Sequence, residues 1–110
     1  MSTEVVDRQV EAYNAQDLES FVACYSAEVT IRDGHGRVLM SGLDAVRREY
    51  GEWFAAHPEV HVEVVGRLVS DAWVVDHERI TVGDGVMSAL VGYHVAEGVI
   101  EAVVLLSEES

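Results

Sequence analysis

Three acidic side chains carry the chemistry this sequence could perform. Asp33 stands directly before Gly34-His35-Gly36, and Asp76 and Glu78 lie two residues apart in a run rich in β-branched residues. A carboxylate removes a proton from a carbon beside a carbonyl best when its pKa is raised toward neutrality, and an apolar cavity raises it by disfavouring the anion. Asp33 is suitably placed to be that general base. It is equally placed to open the glycine turn by accepting hydrogen bonds from its own backbone.

Strand parity sorts the other two. Side chains alternate across a strand, so Asp76 and Glu78 share one face while His77 and Arg79 share the other. A two-residue loop in the Gly83-Asp84-Gly85 hairpin would group Val74, Asp76, Glu78 and Ile80 with Met87, Ala89, Val91, Tyr93 and Val95. That face is mostly apolar and is assigned to the interior. Glu78 then becomes the second catalytic candidate, with Asp76, Val91 and Tyr93 as ligand contacts. Buried carboxylates need partners, and Tyr50, Trp53, His61 and Tyr93 are the candidate donors. A three-residue loop would exchange Glu78 for His77, so His77 stays in the set. Asp76 and Glu78 at a solvated rim, and Trp53 and Trp73 as plain packing, are the competing structural readings.

These residues need elements to hold them. Val6, Val10 and Tyr13 at i, i+4 and i+7, behind a possible Thr3 cap, predict a helix running to about Asn14. Asp17 caps a short second helix with Leu18, Phe21, Val22 and Tyr25 on one face. Val29, Ile31 and the Val38–Met40 run flank the glycine turn as a small hairpin. Ser41 and Asp44 make a capping signature for a third helix carrying Leu43, Val46, Tyr50 and Trp53 or Phe54, stopped by His57-Pro58. From Val60 the period becomes two, and breaks at Ser70-Asp71, Gly83-Asp84-Gly85 and Glu97-Gly98 divide the remainder into an antiparallel meander. Helices followed by a meander predict one α+β domain over residues 1–110, with the helices on one face of a long, bent sheet and a cavity between.

Composition removes several functions. A formal charge of −13, from 20 acidic and 7 basic residues, repels phosphate backbones and anionic lipid, and no basic patch offsets it. Nucleic acid and membrane are therefore not expected partners. Cys24 is the single cysteine, which excludes an intrachain disulfide and fits a reducing compartment. The segment from Met1 to Val10 has charges where a signal peptide has an apolar core, and a cytoplasmic location is expected. The five histidines show no metal-ligand spacing, and phosphate loop, nucleophile elbow and dinucleotide fingerprint are all lacking, so no metal or cofactor is expected.

Asn14-Ala15-Gln16-Asp17-Leu18, Asp33, the stretch Ser41-Gly42-Leu43-Asp44-Ala45-Val46-Arg47-Arg48-Glu49-Tyr50 and the closing strands together resemble the ketosteroid isomerase and SnoaL-like branch of the nuclear transport factor 2-like superfamily. The resemblance spans nearly the whole chain. It implies a cone-shaped, cystatin-like α+β roll of three helices on a strongly curved antiparallel sheet. It places Asp33 where those isomerases keep their proton-shuttling carboxylate, and Tyr50 on a tyrosine that supports the oxyanion-hole network. The oxyanion-hole tyrosine falls at Gln9 and its protonated aspartate partner at Val91.

Val91 can donate no hydrogen bond, and losing one such donor costs about 10²- to 10³-fold in turnover. Isomerisation of a 5-ene-3-ketosteroid is therefore expected to be absent or very weak. The function expected is a cofactor-free isomerase- or cyclase-type enzyme acting on a small apolar or ring-containing carbonyl compound, with Asp33 as base. The alternative is a non-catalytic ligand-binding or accessory dimerisation domain. Trp73, Val75, Val86 and Leu90 would leave the outer sheet face apolar, and the family commonly pairs through that face, so a homodimer is expected.

Overall fold

Helix α1 (Ser2–Asn14) buries Val5, Val6, Gln9, Ala12 and Tyr13 along one stripe, the helical spacing that lets a single face meet a core. The computed structural model describes residues 2–109. Thr3, expected to cap α1, lies inside it, because the helix extends to Ser2. Helix α2 (Leu18–Val22) is one short turn, and Asp17 caps it by accepting from the Ser20 backbone N–H. Tyr25, expected on that helix, instead opens strand β1 (Tyr25–Asp33).

Strand β2 (Val38–Ser41) completes the small hairpin, and helix α3 (Leu43–Ala56) follows. The expected Ser41/Asp44 capping pair does not form. Gly42 is the cap residue, at a φ of 85°, and no side chain bonds the first turn. Only glycine adopts that left-handed geometry without strain, so the chain turns into α3 through backbone conformation.

Four longer strands follow, β3 (His61–Ser70), β4 (Trp73–Val82), β5 (Gly85–Ala96) and β6 (Val99–Glu109). All six strands form one sheet in the order β2-β1-β6-β5-β4-β3. The meander is antiparallel as expected, but β1 pairs with β6 in parallel. The sheet is therefore mixed at that seam. Breaks in register interrupt β3/β4 and, twice, β5/β6, and such bulges bend a sheet around what covers it.

The Asn14-to-Asp17 motif proves to be structural. The Asn14 side chain donates to the Val62 carbonyl at 2.9 Å and accepts from the Val62 N–H at 2.7 Å, so one amide acts as a short piece of strand along the β3 edge. Gln16, at a φ of 60°, donates to the carbonyls of Tyr13 and Val60. These bonds fix the end of α1 against the sheet and set the angle at which α1 covers it. The core beneath is dominated by Phe21, Ile31, Ile100, Val29, Val46 and Val74.

Candidate active site

The loop between β4 and β5 is the two-residue type, since Val82 pairs with Gly85. Glu78 is thereby opposite Ala89, and Asp76 opposite Val91, on the face that the helices cover. His77 lies on the other face and is exposed.

A cavity of about 290 Å³ lies between this face and the helices. Its sheet side presents Glu78, Ile80, Met87, Ala89, Val91 and Tyr93. Gln9, Val10 and Tyr13 of α1 and Glu49, Tyr50 and Trp53 of α3 close the opposite side, and Glu108 of β6 reaches the lining from the end of the chain. The wall is mostly hydrocarbon and aromatic. Among the described residues its ionisable carboxyls are those of three glutamates, and no lysine, arginine or histidine lines it.

Glu78 is the deepest of the three, at 6% exposure. Its Oε2 accepts a hydrogen bond from the Tyr93 hydroxyl at 2.9 Å. Burial pushes the Glu78 carboxyl up to about 7, since an apolar wall disfavours the anion. The Tyr93 bond and the nearby Arg67 oppose that rise, while Asp76 adds to it.

The phenols around it follow the same physics. Burial holds Tyr25, Tyr50 and Tyr93 above the ordinary tyrosine range and raises Tyr13 to about 12, so all four stay protonated donors at neutral pH. Tyr25 spends its proton on Gln9 Oε1, at 3.2 Å. The Tyr13 oxygen accepts from Trp53 Nε1 at 2.7 Å, which locks both rings and leaves the Tyr13 proton to be donated elsewhere. Tyr50 packs against Phe21, Tyr13 and Phe54, and its hydroxyl makes no hydrogen bond to a described residue.

Several sequence expectations need correcting. Asp33 does not line the cavity. Its Oδ1 accepts from the backbone N–H groups of His35 (2.9 Å) and Arg37 (3.0 Å), closing the β1–β2 turn. The Arg37 and His35 amides hold its pKa below the usual aspartate range, opposite to what a general base at neutral pH needs. His61 is exposed at the start of β3, outside the cavity lining. His77 also lies outside it, on the outer sheet face.

Asp76 is fully buried but serves another purpose. It takes both Nε (2.6 Å) and Nη2 (3.0 Å) of Arg67, whose Nη1 reaches Asp7 of α1 at 2.7 Å. This chain of charges ties α1 to β3 and β4 and lies outside the cavity lining. Glu78, Tyr50, Trp53, Val91 and Tyr93 are brought together in the lining.

Tyr13, Tyr25, Glu49 and Glu108 also line the cavity, beyond the residues expected from the sequence. Tyr13 and Tyr25 already lay on apolar helical stripes. Glu49 precedes Tyr50 on α3 and stands four residues, about one turn, before Trp53. For Glu108 no signal existed, because the register break between Leu90 and Val91 reverses parity along β6. Among the described residues, no group of three or more His, Cys, Asp or Glu side chains is placed to hold a metal ion. No described helix is long and apolar enough to cross a membrane.

The chain belongs to the SnoaL-like domain family, whose match covers residues 6–103. An uncharacterized cystatin-fold protein from Novosphingobium aromaticivorans superposes with a TM-score of 0.89 at 22% identity, over 96% of this chain and 97% of that one. A candidate ketosteroid isomerase from Kribbella flavida gives a TM-score of 0.81 at 17% identity, over 94% of this chain and 74% of that one. A protein with the ketosteroid isomerase-like fold from Catenulispora acidiphila, in complex with trimethylamine, gives 0.77 at 14% identity, over 92% and 82%. At these identities the likeness is one of fold. No curated protein matches the sequence.

Proposed function

We propose that the cavity binds a small, largely apolar carbonyl compound and moves a proton on it without a cofactor, with Glu78 as the general base. The observation that carries this reading is a carboxylate only 6% exposed, on an apolar wall, with its pKa near neutrality. Such a group can accept a proton at physiological pH and return it, and two protonated phenols without a ligand-independent acceptor, Tyr13 and Tyr50, are available to steady a developing enolate oxygen. The base is therefore moved from Asp33 to Glu78. That a protein of the same fold is found with a small molecule supports a small-molecule cavity here.

The test is hydrogen–deuterium exchange at the α-carbons of cyclic ketones in D₂O, followed by proton NMR. Exchange faster than buffer, lost on blocking the cavity with a tight-binding ring compound, is expected. Exchange at the buffer rate for every ketone in a graded size series would contradict the enzymatic reading. The alternative, a non-catalytic binding domain, draws support from Val91. It lines the cavity where the resembling isomerases hold an acid, and it supplies no donor for 5-ene-3-ketosteroid isomerisation.

The same reading includes a cytoplasmic homodimer formed through the outer sheet face. Leu68, Trp73, Val86 and Leu90 are exposed there, an apolar patch that water penalises. Light scattering should give twice the 12.1 kDa chain mass at micromolar concentration. Trp73→Glu should shift it to the monomer, and a native monomer across that range would remove the dimer from the account.

A further inference from the structure

The charge of the cavity wall points to a narrower class of ligand. Among the described residues the lining holds three glutamates and no cationic side chain, and the acids are unevenly placed. Glu78 is deep, while Glu49 on α3 and Glu108 on β6 are exposed and so mark the mouth. Glu108 lines the same cavity as Tyr13, Tyr50 and Trp53, and its charge adds slightly to the rise that burial gives both phenols.

Glu49 lies one helical turn before Trp53, so both project from the same side of α3. The Trp53 ring is held there by its bond to the Tyr13 hydroxyl. Trp53, Glu49 and Glu108 share the cavity lining, while His57, outside that lining, packs against the indole with ring centroids 4.3 Å apart. An indole and carboxylates grouped around one opening attract an organic cation, because the ring quadrupole and the acids act in the same sense. Glu49 has one competitor, Arg48, at 3.7 Å, but both side chains stand in solvent and a contact of that kind is readily exchanged. Arg47, the next cation on α3, is engaged by Glu19, and Arg67 behind Glu78 is held between Asp76 and Asp7.

We propose that the ligand is an amine-bearing carbonyl compound: its apolar body fills the interior beside Glu78, and its protonated or quaternary nitrogen rests at the mouth against Trp53, between Glu49 and Glu108. This rests on the cavity being the ligand site, as read above, and it names the ligand's charge. It also assigns Glu49 and Glu108 a selective role. They disfavour anionic analogues of the same shape by repulsion at the opening, an effect that salt screens.

The experiment compares 4-(dimethylamino)cyclohexanone, 4-hydroxycyclohexanone and 4-oxocyclohexanecarboxylate by calorimetry with the full chain at pH 7, in low salt and in 0.5 M salt. The amine should bind about tenfold more tightly than the alcohol in low salt, with the carboxylate weakest. That advantage should shrink in high salt. Glu49→Gln/Glu108→Gln, at two exposed positions, should bring the amine-to-alcohol ratio toward one. Equal affinity for amine and alcohol, or an amine preference untouched by the double substitution, would overturn the proposal. The α-proton exchange assay separates the two readings: amine selectivity that persists in Glu78→Gln upholds this inference even if no ketone exchanges, whereas fast exchange without amine selectivity upholds the catalytic reading alone.

Discussion

Glu78→Gln is expected to reduce α-proton exchange by about 10²- to 10⁴-fold, the range a positioned general base contributes. The substitution keeps the shape of the side chain and a partner for the Tyr93 hydroxyl while removing the basic oxygen, so a loss reports chemistry and not collapse. In the native protein the rate should rise with pH and level off above about 7, the pKa of Glu78. At pH 5, two units below that value, about 1% of the carboxylate is ionised, so activity should be roughly a hundredfold below its plateau.

The same residue makes an opposite prediction for stability. Its folded pKa lies above the ordinary value of 4.5, at about 7. The folded state therefore holds the proton more tightly than the unfolded chain, and the fold loses stability as pH rises from about 4.5 through 7. The loss is on the order of 3 kcal/mol once the group is fully ionised. Glu78→Gln, which cannot ionise, should thus be more stable than the native protein at pH 8 and closer to it near pH 5. Thermal unfolding of both proteins at those two pH values checks the sign. A variant less stable at pH 8 would mean that the carboxylate is well solvated and not poised as a base.

The inward position of Glu78 was readable in advance, and the reason is geometric. A glycine-flanked hairpin admits few loop lengths, so assuming two residues was enough to place Glu78 inside and His77 outside. For Asp33 the sequence fits a general base and a turn residue equally well, because it shows an aspartate before glycines without showing where its oxygens bond. Two backbone amides claim one of those oxygens, and no local pattern distinguishes such a turn from a catalytic loop. The parallel β1–β6 seam was hidden for a different reason. It joins strands from opposite ends of the chain, a pairing that no hairpin signal announces. The bulges that turn Glu108 inward depend on how the bent sheet accommodates the helices, which is a tertiary effect.

The second large effect is expected at Arg67. Arg67→Met would leave the fully buried Asp76 without its bidentate partner and would also cut the link to Asp7 on α1. Breaking a buried pair from one side typically costs about 3 to 5 kcal/mol, a large share of the total stability of a domain this size. Replacing both charges by apolar residues, as in Arg67→Met/Asp76→Leu, should recover much of that loss, because no unpaired ion is then left in the interior. Arg67→Lys should recover little, since an ammonium cannot present the two-pronged contact that Asp76 accepts. Urea unfolding of the three variants measures this directly. A double variant as unstable as Arg67→Met would show that packing, and not the stranded carboxylate, is responsible.

The central claim is that Glu78 is a buried carboxyl poised near neutral pH, and its titration tests that claim most directly. Carbon-13 NMR of glutamate-labelled protein, with the Glu78 resonance assigned by its disappearance in Glu78→Gln, gives the midpoint without any substrate. The account predicts a midpoint near 7, well separated from the exposed glutamates. A midpoint at or below 4.5, the ordinary value, would contradict it.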